Sequence, residues 1–196
     1  MSAARGRWSA RAAGIVALCF VTNMVDGMDV NIMSFIRAAL SKDWAVADDA
    51  MGYVLSAGTL GMGIGALLMA PFADRFGRKP VIMAALALMS VGMVASGFVG
   101  SIDGLMLARL VVGMGIGTVL ATMAALSAEV APPGWQDLAV GIVQAGFPLA
   151  AVGTGFVVAW AQPLVGWQAL LRWAGWVTVA LLPLAWLVLR ARRANA

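Results

Sequence analysis

The sequence predicts an all-α membrane protein of six transmembrane helices, with both termini on the cytoplasmic side. Three observations predict it. Of the 196 residues, 62% are hydrophobic and only 11% are charged, whereas a soluble domain carries about 25% charge. The apolar residues fall into six runs, each near the roughly 20 residues that cross a hydrocarbon core. The basic residues gather in short turns and at the two ends, as those of cytoplasmic loops do. Long unbroken apolar runs also argue against a membrane barrel, whose strands would alternate over about ten residues.

The spans fall roughly at 13–35, 51–72, 80–99, 104–127, 138–160 and 169–189. Residues 1–12 then form a cytoplasmic segment, 13–190 the helical bundle, and 191–196 a basic cytoplasmic tail. Arg5, Arg7 and Arg11 precede the first span, much as in a signal peptide. The run is too long for one and further spans follow at once, so it reads as a retained helix. Lys42-Asp43 separates it from the second span. That span ends abruptly in Asp74-Arg75-Phe76-Gly77-Arg78-Lys79-Pro80, a tight basic turn into the third. Asp103-Gly104, Pro132-Pro133-Gly134 and Gln162-Pro163 supply the remaining breaks.

Orientation follows from the cations. Arg5, Arg7, Arg11, Arg75, Arg78, Lys79, Arg190, Arg192 and Arg193 fall on one side, against Arg37, Lys42 and Arg172 on the other. The richer side is cytoplasmic, and the location is a multi-pass protein of the inner membrane. The net charge of +4 does not signal nucleic acid, because the cations line no single face. There is no histidine and only Cys19 among the thiols. That removes Ser-His hydrolases, His-ligated haem and most zinc sites. With no nucleophile–base set and no metal cluster in view, the chain does not read as an enzyme, and no bound cofactor is expected.

Glycines crowd three spans: Gly61, Gly63 and Gly65; Gly113, Gly115 and Gly117; Gly146, Gly153 and Gly155. Small residues let membrane helices approach closely, and that packing is the plain reading of them. Spans one and four each carry ionisable groups, and spans two and five are each glycine-rich. A three-plus-three inverted repeat would give that pattern.

Asp26 and Asp29 lie in the first span and Arg109 in the fourth. Each such group costs about 2.5–3.5 kcal/mol at the centre of a membrane helix. Groups held at that cost face an aqueous cavity or one another. Asp26 and Asp29 are three apart and share a helix face. Asp29 and Arg109 both fall roughly 8–9 Å inside the outer boundary, counted at 1.5 Å per residue. They can meet if their helices are neighbours, as a functional contact or as a structural pair. Asp26 then sits about a turn deeper with no evident basic partner, either as a proton-coupling carboxyl or hydrogen-bonded to a backbone carbonyl as a structural group. Asn31, Thr59 and Gln144 either add hydrogen bonds in a cavity or serve packing.

The Asp74-Arg75-Phe76-Gly77-Arg78-Lys79 turn, placed between spans two and three, resembles the loop signature of the major facilitator superfamily. Arg109 with Gly113, Gly115 and Gly117 resembles its fourth-helix motif, and Glu129-Val-Ala-Pro132 the signature that ends that helix. Gly141 to Gly155 with Pro148, and Gly166-Trp167, resemble its fifth helix and the turn into the sixth. Asp26-Gly27-Met28-Asp29 is similar to the first helix of the aromatic acid:proton symporter group. The resemblance implies one half of a major facilitator fold, moving a small organic anion, an aromatic carboxylate, with protons and driven by the proton gradient. It implies coupling or substrate roles for Asp26, Asp29 and Arg109. It also implies a gating role for Asp74, Arg75, Gly77, Arg78 and Lys79. Sugar porters share the outer motifs, and a non-transporting six-span assembly subunit is the reading from another class.

The chain departs from the family at Ala70 and Ala150, where glycine is usual, and at Gly134-Trp135-Gln136, where arginines are usual. Glu129 therefore lacks basic company in its own turn. The family has twelve helices, so the resemblance implies a complementary C-terminal half or a second copy, in the lipid bilayer, for transport.

Overall fold

A computed structural model describes residues 6–190. Arg5 and the tail 191–196, with Arg192 and Arg193, lie outside the described residues. Seven segments run in order. They are α1 Ala10–Trp44, α2 Asp48–Ile64 continued by a wide π turn Gly65–Met69, and α3 Phe72–Phe76. Then come α4 Arg78–Ser96, α5 Ile102–Val130 and α6 Gln136–Arg190. Helix α6 is broken at Gly166 (φ 76°, ψ 166°) into arms 136–165 and 167–190.

Packing shows that the chain reverses at Gly166. Gly146 lies on Phe20 and Met24, and Gly155 on Phe35, so the first arm runs parallel to α1. Trp167 meets Trp44 at 5.3 Å between ring centres, and Thr178 reaches back to Asp29, so the second arm runs antiparallel to α1. Six rods therefore cross the bundle, as the six apolar runs predict. Helix α5 lies parallel to α2, with Gly113 on Gly58 and Gly117 on Met62, and antiparallel to α4, with Gly115 on Ala85 and Gly92 on Val112. Each three-rod set thus has a central helix, α1 or α5, with a parallel partner, the first arm or α2. Spans one and four therefore take equivalent central places, and spans two and five take equivalent places beside them. Helices α1 and α5 are the most buried of the set.

One end of the bundle gathers Trp8 against Trp135 and Lys79 over the ring of Trp186, 5.6 Å away. The other gathers Trp44, Trp167 and Arg172, whose Nε donates to the Gly97 carbonyl at 2.9 Å. The basic turn 74–79 and the described N-terminal residues therefore share one end.

Three predicted breaks move. Lys42 and Asp43 stay helical, because Asp43 accepts from Trp167 Nε1 and Gln168 Nε2 at 3.2 and 3.1 Å. The helix ends instead at Ala45, whose φ is 51°. Asp103 and Gly104 belong to the first turn of α5, since the Ser101 hydroxyl caps it by accepting from the Gly104 amide at 3.2 Å. Gln162 and Pro163 do not stop the first arm. The break waits for Gly166, because a φ near +76° is readily taken by glycine alone. Gly77 (φ 90°) does break the chain where expected, and Pro80 sits in the first turn of α4, where its missing N–H goes unneeded. At 35 residues and 1.5 Å each, α1 is about 50 Å long. It therefore projects past a hydrocarbon core of about 30 Å.

Candidate functional site

The buried polar groups collect on the two central helices. Asp26 and Asp29 are 0% exposed and Arg109 4%. Helix α5 brings Arg109 to the level of Asp29, yet the two side chains form no ion pair among the described residues. The guanidinium donates to the main-chain carbonyl of Asp29 at 3.4 Å, to Ser96 Oγ at 2.8 Å and to Met93 Sδ at 2.6 Å. The Asp29 carboxylate accepts from Thr178 Oγ1 at 3.4 Å, and its other oxygen is buried without a partner. The depth match read from the sequence holds, while the guanidinium takes neighbours from α1 and α4 in place of the carboxylate.

A cavity of about 190 Å³ opens between α1, α2 and α5, and Asp29, Ser34, Thr59 and Arg109 line it. A narrowly placed anion and cation beside apolar walls could hold a small polar ligand by charge and the rest of it by contact. Asp26 is not in that lining. It lies a turn inward, with both carboxyl oxygens buried and unpartnered. Thr59 stands in the wall of the cavity, but its hydroxyl donates to the Leu55 carbonyl of its own helix at 3.2 Å. Asn31 turns back on its own helix, its Nδ2 donating to the Gly27 carbonyl at 2.7 Å. Gln144 stands on the exposed face of the first α6 arm and accepts from Asn23 Nδ2 at 2.8 Å. Ser96, Thr178 and Asn23 were missed from the sequence. The available signal was a small polar group inside an apolar run at the depth of Arg109 or Asp26.

At the basic end, Arg78 crosses to α5. Its Nε donates to both carboxylate oxygens of Glu129 at 2.9 Å, and its terminal nitrogen to one of them at 2.5 Å. Asp74 stands 3.8 Å from the same nitrogen. Glu129 thus has basic company after all, supplied by the next helix over and not by its own turn. The hydrogen bond to Glu129 pushes the Arg78 guanidinium above its ordinary value. Arg75 packs over Phe76 at 5.5 Å. The Glu129 side chain is 47% exposed and that of Arg78 17%, so solvent screens the pair from the Glu129 side. Glu129→Gln is therefore expected to cost no more than about 1 kcal/mol. Thermal unfolding in detergent at low and high salt checks this, and the difference between the two proteins should shrink as salt rises.

Residues 18–196 match the sequence profile of the Major Facilitator Superfamily. The chain is 38% identical over 175 residues to a gallate transporter of Pseudomonas putida, covering 89% of this chain and 39% of that protein. It is 36% identical over 180 residues to the 4-hydroxybenzoate transporter PcaK of the same species, covering 91% and 40%. It is 30% identical over 176 residues to the 3-(3-hydroxy-phenyl)propionate transporter of Escherichia coli K12, covering 90% and 43%. The chain thus spans 39–43% of the length of these relatives. Two solved structures share its fold at 16% identity. The proton:xylose symporter XylE bound to 6-bromo-6-deoxy-D-glucose gives a TM-score of 0.79 over 90% of this chain and 44% of that one. An inward-facing bacterial homolog of the human lysosomal transporter Spinster gives 0.76 over 93% and 44%.

Proposed function

The chain belongs to the major facilitator superfamily and is a multi-pass protein of the inner membrane, and on that premise we propose that it is the N-terminal half of a proton-coupled transporter for hydroxylated aromatic carboxylates. Membership sets it among transporters rather than enzymes. The observation that carries the proposal is a buried cation and a buried carboxylate, Arg109 and Asp29, on the wall of one cavity at membrane depth. Carrying such groups into a bilayer is costly and is repeatedly tied to substrate and ion pathways. The names of the relatives, a gallate transporter and a 4-hydroxybenzoate transporter, support that substrate class. Arg109 is the group suited to an anionic carboxylate. Asp26 and Asp29 are the groups suited to carry the proton, and no cofactor beyond the proton gradient enters.

The same reading puts the basic end, with residues 1–12, the turn 74–79 and the tail 191–196, in the cytoplasm. There Arg78, Asp74 and Glu129 would hold α4 and α5 together in one state and release them in another. Transport in this fold takes place between two six-helix halves that rock about a midplane site. A complementary C-terminal half, or a second copy of this chain, is therefore required. Exposed apolar side chains on α2 and on the first α6 arm, among them Leu60, Leu67, Phe156 and Trp160, are available to it or to lipid.

Proteoliposomes test the proposal. The chain, reconstituted alone and with the second half of a gallate-transporter relative, is given labelled 4-hydroxybenzoate with and without an inward proton gradient. Uptake that needs the second half, follows the gradient and collapses with a protonophore is expected. Absence of gradient-dependent uptake from an assembled pair would overturn the reading.

A further inference from the structure

The polar face of α1 continues past the cavity. Thr22, Asp26 and Asp29 stand at i, i+4 and i+7, with Asn23 three residues before Asp26, so they share one side of the helix. Thr22 Oγ1, Asn23 Oδ1, both Asp26 oxygens and Asp29 Oδ1 are all buried without a hydrogen-bond partner. Buried polar atoms are nearly always satisfied, and a row of orphans in a polar setting is where ordered water belongs. The inner end of the row leads outward through a pair of amides. Asn23 is 3% exposed, and its Nδ2 donates at 2.8 Å to Gln144, which is exposed on the first α6 arm. Pro148, four residues on, has no amide to give the Gln144 main-chain carbonyl, which leaves one more acceptor at the same place.

We propose that this row is a hydrated proton path, by which Asp26 exchanges its proton with the exposed face of the 136–165 arm through Asn23 and Gln144, and not through the cavity at Asp29. The cavity route is the poorer one because Arg109 lines it, and a fixed cation opposes the passage of a protonated water. In the step, the carboxyl O–H bond breaks as an adjoining water takes the proton and releases one of its own to the next water. The last proton goes to water beside Gln144, on the face that the second half of the fold would cover, and a carboxylate stays behind at Asp26. The two amides carry no proton; they hold the waters that do. Within the buried stretch, the ionisable groups around Asp26 are Asp29 and Cys19 on its own helix and Arg109 from α5. Helices α2 and α4 and both α6 arms bring none there among the described residues, their charged groups standing at the helix ends. The inference deepens the proton-coupled reading, but its test needs no transport.

Infrared difference spectroscopy of the chain, assembled in lipid bilayers with the second half of a gallate-transporter relative, reads it directly. The Asp26 carboxyl band is the one lost in Asp26→Asn, and its hydrogen–deuterium exchange is timed after a switch to heavy water. Asn23→Leu and Gln144→Leu are each expected to slow that exchange by about tenfold or more, the weight of one lost hydrogen-bond partner. Gln144→Asn, which keeps the amide, should restore most of the rate. Unchanged helicity and melting confirm that the variants fold. Exchange indifferent to both leucine variants would overturn the path, as would slowing by Thr59→Val alone, or no protonated carboxyl band assignable to Asp26. If the exchange depends on Asn23 and Gln144 while no uptake is found in proteoliposomes, the transport reading fails and the path stands.

Discussion

Gly117→Leu is expected to prevent α2 and α5 from packing and to leave little folded protein. A Cβ at Gly117 would already collide with the carbonyl of Met62, and one at Gly65 with the carbonyl of Met114. Both obstacles are backbone, so no side chain can rotate out of the way. Overpacking in a filled core costs about 1–3 kcal/mol when side chains can adjust, and the cost here should exceed that. Gly63 sits on the same stretch of α2, and a Cβ there meets nothing within 4 Å. Gly63→Leu should therefore stay within about 0.5 kcal/mol of the parent, as open surface positions do. Melting followed by tryptophan fluorescence in detergent, with size-exclusion profiles, separates the two. Equal behaviour of Gly117→Leu and Gly63→Leu would show that the parallel seam of α2 and α5 is not the tight contact described.

Arg109→Leu is expected to lower gradient-driven uptake by at least about a hundredfold, close to 2.7 kcal/mol of lost coupling. It should at the same time leave the melting temperature unchanged or raise it. Among the described residues Arg109 has no ion-pair partner to strand, and an apolar side chain of adequate volume removes the cost of burying its charge. Ser96 keeps its own bond to the Gly92 carbonyl at 2.7 Å, so the substitution does not strip that hydroxyl of every partner. The opposite pattern, lost stability with uptake preserved, would mark Arg109 as a structural tie among α1, α4 and α5. Uptake measured with an assembled second half, together with melting of the same preparation, distinguishes the two.

The six rods were legible because hydrocarbon thickness dictates their length, and an apolar run of that length has few other uses. Gly77 was legible because a charged turn with a glycine has one natural break point. Gly166 was not, because Gln162-Pro163 offered an earlier stop. A proline removes one amide but does not force the chain to reverse, whereas a positive φ does. The depth of Asp29 and Arg109 followed from counting residues, but their hydrogen bonds did not. Those depend on Ser96 and Met93, which α4 brings alongside, and on Thr178 from the far arm. The Arg78–Glu129 bridge joins residues 51 apart and was hidden for the same reason. A turn read alone says nothing about the helix that ends beside it. Asn23 was overlooked because a single amide in an apolar run looks like packing until its neighbours prove equally short of partners.

The wide turn Gly65–Met69 inserts its extra residue just before the charged segment. There the Gly65 carbonyl accepts both the Ala70 amide at 2.9 Å and the Thr118 hydroxyl of α5 at 3.2 Å. In an uninterrupted α-helix each residue advances the chain by about 100° around the axis. A single surplus residue therefore shifts the azimuth of Asp74, at a carbonyl that shares the Thr118 hydroxyl with the Met114 carbonyl, the latter at 2.7 Å. Shortening the 65–69 segment by one would leave the span long enough to cross, yet swing Asp74 a quarter-turn or more away from Arg78.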